Sequence, residues 1–102
     1  MMGVVKKKFK KDELLDMDMP WEAPEGGEIV SRDLLESSRW SLHYELIVRF
    51  PDQPKGEAWR FRYSVGASES QDERPWQYED EVVATLVRER EVVMKQWLPV
   101  EE

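Results

Sequence analysis

The chain has 102 residues, 36% of them charged and 40% hydrophobic, with no cysteine and a formal net charge of −7. That length supports one domain with a modest core, and the lack of cysteine excludes disulfides, thiolate catalysis and Cys-based zinc sites. No apolar run approaches the ~20 residues of a membrane helix, and lysines follow Met1–Val5 too soon for a secretory leader, so a cytosolic protein is expected.

The first eleven residues carry Lys6, Lys7, Lys8, Lys10 and Lys11 and no acid, which leaves −12 on residues 12–102. A body that acidic repels a phosphate backbone, so direct nucleic-acid binding is not expected. The lysines read as a solubilising tail. Asp12 is placed to cap a short helix through Glu13, Leu14, Leu15 and Met17. Pro20, Trp21, Pro24, Gly26 and Gly27 then interrupt regular structure. Residues 1–27 are therefore expected to form a basic segment and a linker, with Trp21 anchoring the linker to the core. Residues 28–102 are expected to form a single antiparallel β domain.

Residues 28–36 suit either a short helix capped by Ser31 or a strand. A hairpin alone is marginal in water and needs a third strand, which favours the strand. From residue 39 to 50 the pattern is clear. Trp40, Leu42, Tyr44, Leu46, Val48 and Phe50 share one parity, while Ser41, His43, Glu45 and Arg49 take the other, the period of a strand between two environments. Residues 57–66 repeat it, with Trp59, Phe61, Tyr63 and Val65 against Arg60, Arg62 and Ser64. Pro51 to Gly56 supplies the connecting loop. Two registers keep both apolar sets on one face. One opposes Arg49 to Arg60; the other opposes Glu45 to Arg62 and Leu46 to Phe61. Facing like charges cost ~0.2–1 kcal/mol, so the second is favoured.

Residues 82–97 admit a helix, but Val82, Val83, Val87, Val92 and Val93 are β-branched and favour a strand or hairpin, with Arg88–Glu91 marking a turn or bulge. The expected fold is thus α+β and mainly β. It is a small antiparallel sheet of about four strands, at about 28–36, 39–50, 57–66 and 82–97, with a short N-terminal helix. Exposed sheet edges and two decorated faces lead to an expected homodimer.

No catalytic constellation is evident. Ser41, His43 and Glu45 share a strand face, but alternate residues stand ~6.5–7 Å apart, beyond nucleophile–base contact. One histidine and scattered carboxylates give no metal-ligand spacing, so neither a metal nor a cofactor is expected. Arg60-Phe61-Arg62-Tyr63 alternates basic and aromatic residues, yet sends rings and guanidiniums to opposite faces, unlike a base-stacking platform. The best candidate for a partner surface is the loop bearing Glu69, Asp72, Glu73, Arg74, Trp76, Tyr78, Glu79, Asp80 and Glu81. Six acids there surround aromatic contact surface of the kind found in binding hot spots. The alternative is that Trp76 and Tyr78 tuck under the sheet. A second candidate, for a small anionic ligand such as a nucleotide or metabolite, is the polar face bearing His43, Glu45, Arg49, Arg60 and Arg62.

Ser38-Arg39-Trp40-Ser41-Leu42-His43-Tyr44-Glu45 and the run from Tyr63 to Trp76, with Lys95-Gln96-Trp97-Leu98-Pro99-Val100, resemble small accessory proteins of tailed phages and prophages of Gram-positive bacteria, a family without an agreed activity. The resemblance covers roughly residues 28–100. It implies a phage protein expressed in the bacterial host cytoplasm, and it brings no site residues with it. The expected function is non-enzymatic: binding and modulating a host protein, with the acidic surface acting as a nucleic-acid mimic in the basic cleft of a defence nuclease or polymerase. A ligand-sequestering oligomer and a minor virion component are the alternatives.

Overall fold

The computed structural model describes residues 3–68, 73–93 and 95–101. Its elements are β1 (Lys6–Lys10), α1 (Lys11–Asp16), β2 (Glu28–Ser37), β3 (Ser41–Arg49), β4 (Glu57–Gly66) and β5 (Glu81–Arg88). They form one antiparallel sheet in the order β1-β5-β4-β3-β2. The last four strands make a meander, and β1 is added outside β5. The protein is mainly β with one short helix, as the alternation predicts, but it has a fifth strand.

That strand is the lysine-rich segment expected to stand apart from the sheet. Its cause is one residue. Phe9 is 7% exposed, with ring centroids 5.5 Å from Phe50, 5.7 Å from Trp59 and 5.3 Å from Phe61. Pairing Phe9 with Val82 carries the flanking lysines into the ladder while their charged ends stay in water. The lysine-rich edge that results resists pairing with other strands.

β3 and β4 adopt the favoured register, with Glu45 opposite Arg62 and Leu46 opposite Phe61. Leu46, Val48 and Phe61 have no exposed surface, and Tyr63 has 5%. These side chains and Val82, Ala84 and Phe9 form one core, covered by Leu14 of α1, by Met19 and by Trp76. His43 and Arg62, on the opposite parity, are exposed. Burial pushes the Tyr63 phenol above its usual pKa, partly offset by the Arg32 guanidinium.

Several expectations need correction at the ends of elements. The β3 ladder begins at Ser41, because Ser38 Oγ accepts the Trp40 and Ser41 N–H groups (3.3 and 3.0 Å) and holds a turn there. Trp40 therefore leaves the core and lies 58% exposed beside the Arg39 guanidinium. β5 stops at Arg88 rather than running to 97, because Arg88 already faces Glu57, the first residue of β4. Beyond it the described residues offer no strand to pair with. Asp12 sits inside the first turn of α1, which starts at Lys11, and so complements the helix dipole instead of capping. The linker is anchored by Met19 and Pro20, both buried, whereas Trp21 is 56% exposed. Gly27 is required where the linker meets β3, since a Cβ there would lie 2.3 Å from the Arg49 carbonyl oxygen.

Two irregularities shape the sheet. β2 carries register shifts between Ile29 and Ser31 and between Leu34 and Glu36, which leave Val30 and Leu35 as extra, exposed residues and blunt that edge. β4 pairs with β5 only from Glu57 to Arg60, while residues 81–85 of β5 pair with β1 on the other side. The gap beside Phe61–Gly66 is filled by the loop before β5.

Candidate functional site

The loop filling that gap is the segment singled out from the sequence. Glu69 and Asp72 lie outside the described residues; Glu73 to Glu81 are placed. Gly66 donates its N–H to the Glu73 carbonyl at 3.2 Å, extending the β4 edge into the loop. The Glu73 carboxylate reaches the strand face opposite the core, where Oε1 accepts from Ser41 Oγ and Oε2 from Ser64 Oγ at 2.6 Å. The Ser41 bond, then the Ser64 bond, hold its pKa below the usual carboxylate value, with His43 adding a smaller electrostatic pull. Glu73 is thus an anchor, its oxygens already occupied.

Trp76 is the second anchor. It is 5% exposed, packs against Phe61 and Tyr63, and donates Nε1–H to the Arg62 carbonyl at 2.9 Å. That bond satisfies a strand carbonyl left without a β5 partner. Its φ of 56° is a left-handed conformation rarely adopted by a bulky residue, held here by the buried ring. The turn around it is tied by Gln77 Oε1, which accepts the Arg74 N–H at 3.0 Å, and by Glu79 N–H to the Trp76 carbonyl at 3.1 Å. Of the two aromatics, then, Trp76 tucks under the sheet and Tyr78 does not. Tyr78 is 89% exposed. Arg74, Glu79, Asp80 and Glu81 are exposed beside it.

What remains for contact is an acidic rim, Tyr78 to Glu81, on a loop fixed from both ends. It borders a shallow cleft of about 380 Å³ that also receives His43, Tyr44, Arg62 and Ser64. The sequence points to Glu73 and Trp76 as contact residues, but both are structural supports. Ser41 and Ser64, which hold Glu73, are missed as such. Their polar parity places them correctly, but nothing local indicates the loop acid that reaches them.

The second candidate set shares the face opposite the core. His43 and Arg62 are exposed there. Arg60 Nε lies 3.7 Å from Glu45 Oε1, and Arg49 Nε lies 3.0 Å from Glu28 Oε1, so two of the three arginines are already in ion pairs. Ser41 donates to Glu73 rather than to His43. Among the described residues no three acidic or histidine side chains gather to hold a metal ion, and no helix is long and apolar enough to cross a membrane. No protein-family model, curated protein or solved structure matches this chain.

Proposed function

We propose that this is a non-enzymatic phage accessory protein that binds and modulates a protein of its bacterial host, using the acidic rim Tyr78, Glu79, Asp80 and Glu81. The observation that carries the reading is Tyr78, 89% exposed among three acids on a loop pinned by Glu73 and Trp76. A preordered loop loses little conformational entropy on binding, and an exposed tyrosine supplies rigid amphipathic contact. Clustered acids suit a basic cleft on the partner and resist wrong partners. The phage origin and the host partner rest on the resemblance of residues 38–45 and 63–76.

The test is capture from Gram-positive lysate by the full chain, compared with a variant carrying Y78A, E79K, D80K and E81K. The reading predicts one dominant partner whose retention falls with added salt and is lost in the variant. Equal capture by both proteins would overturn it. A second reading, binding of a small anion, is favoured by the cleft where β4 parts from β5, because Lys6, Arg60 and Arg62 line it against the single carboxylate of Glu79. A thermal-shift series with pyrophosphate tests this; no shift, or an equal shift in R62E, rejects it.

A further inference from the structure

The segment after β5 carries apolar side chains that no described residue covers. Val93 is 96% exposed, Trp97 103%, Leu98 74% and Val100 87%. The radius of gyration, 16.9 Å, exceeds the ~13 Å of a packed domain of this length, as an unpacked segment requires. Among the described residues of 92–100, five apolar side chains stand in water (Val92 is the fifth, 76% exposed), too concentrated for a solubilising tail.

The sheet face opposite the core holds a receptor of matching chemistry. Val30, Ile47, Ala58 and Val87 line a groove of about 360 Å³ on a face otherwise set with charges. Ala58 is buried although it stands outside the main core, and Val30 is one of the extra residues of the β2 bulges. The Glu28–Arg49 and Glu57–Arg88 ion pairs frame the groove.

We infer that Trp97 and its apolar neighbours dock into this groove of a second copy of the chain, each copy donating its tail to the other. The chain leaves from the rim itself, since Glu89 lines the groove and donates its N–H to the Gly56 carbonyl at 2.7 Å. To fill its own groove the tail must reverse direction soon after this point. Residues 89–97 contain no Gly, Pro, Asn or Asp, the residues that build tight reversals, and their β-branched pair Val92-Val93 favours extension. An extended tail carries Trp97 away from its own groove and towards another molecule. A reciprocal exchange is isologous and closes as a two-fold dimer. Two buried tryptophans, each contributing ~150–250 Å², with the flanking valines and leucine and the groove walls they cover, approach the ~1,000 Å² that a specific interface needs. This route needs no backbone pairing at the β2 or β1 edge, and it is independent of the acidic rim.

The experiment is sedimentation of the full chain from micromolar to millimolar concentration, alongside fluorine NMR of fluorotryptophan-labelled protein with the Trp97 signal assigned by W97F. The expected result is a monomer–dimer equilibrium in which the Trp97 signal moves with concentration. W97A, in a fully exposed residue, and V30K, in an exposed bulge residue, should each raise the dimer dissociation constant roughly tenfold or more. A monomer at every concentration overturns the inference, whether Trp97 is in water or shielded by its own groove. Dimerisation unaffected by W97A overturns it too.

Discussion

Pro20-Trp21 and Pro75-Trp76 are the same dipeptide on two loops that cover the same face of the sheet, with opposite outcomes. In the first, the proline is buried and the tryptophan is 56% exposed, touching Tyr63 edge-on at 6.0 Å. In the second, the tryptophan is 5% exposed and fills the space between Phe61 and Tyr63. The difference lies in the strand beneath. Under Trp76, β4 has lost β5 and presents a carbonyl that needs a donor, which the indole N–H supplies. Under the first loop Arg32 performs that service in reverse, donating to the Pro20 carbonyl, so no indole is needed there. A tryptophan is buried where it can satisfy backbone as well as fill volume.

The largest expected effect tests this contrast directly. Trp76→Ala should destabilise the fold by about 3–5 kcal/mol, the range for deleting a core aromatic. Trp21→Ala should cost about 1 kcal/mol or less, as for a side chain left mostly in water. Urea denaturation of the two variants checks it, and equal losses would mean that the loops are equivalent. Trp76→Phe sharpens the comparison. The ring contacts are largely kept, but the Arg62 carbonyl loses its donor, at a cost of about 1–3 kcal/mol. A loss near zero would show that packing alone holds the loop.

The smallest effect concerns pH. The folded pKa of Glu73 is depressed below 4.5 by the two serine hydroxyls. A depressed carboxylate stabilises the native state above its unfolded pKa, and the gain disappears as pH falls through the folded value. Urea midpoints followed from neutral pH into the acid range should therefore fall less steeply in an S41A/S64A variant than in the natural chain. Identical slopes would mean that the hydroxyls do not hold the carboxylate in solution.

Much of this architecture is legible in the residues because two independent rules agree on it. Parity puts Leu46 and Phe61 on one face, and charge pairing then selects Glu45 opposite Arg62 over the competing register. Where only one rule operates, the reading fails. Phe9 among lysines gives no period, so β1 is invisible until its partners on β5 are known. Val92 and Val93 have β propensity, but propensity cannot report that β4 has already ended opposite Arg88. The site is less legible than the fold. Composition marks the acidic aromatic loop, yet the division of labour between buried Trp76 and exposed Tyr78 depends on a break in sheet pairing that no local pattern encodes.

The pairing of Lys6 with Thr85, continued by the Leu86 N–H bond to the Val5 carbonyl at 2.8 Å, has a consequence for biosynthesis. Phe9 emerges from a ribosome well before Val82, the residue it docks against, has been made. Until then the meander must collapse with one flank bare and an aromatic ring adrift. The entropic penalty for bringing such distant segments together rises only logarithmically with their separation. Translation order and docking order therefore run in opposite directions, and a bulky fusion joined close to Val4 should hinder maturation more than one joined beyond Val100.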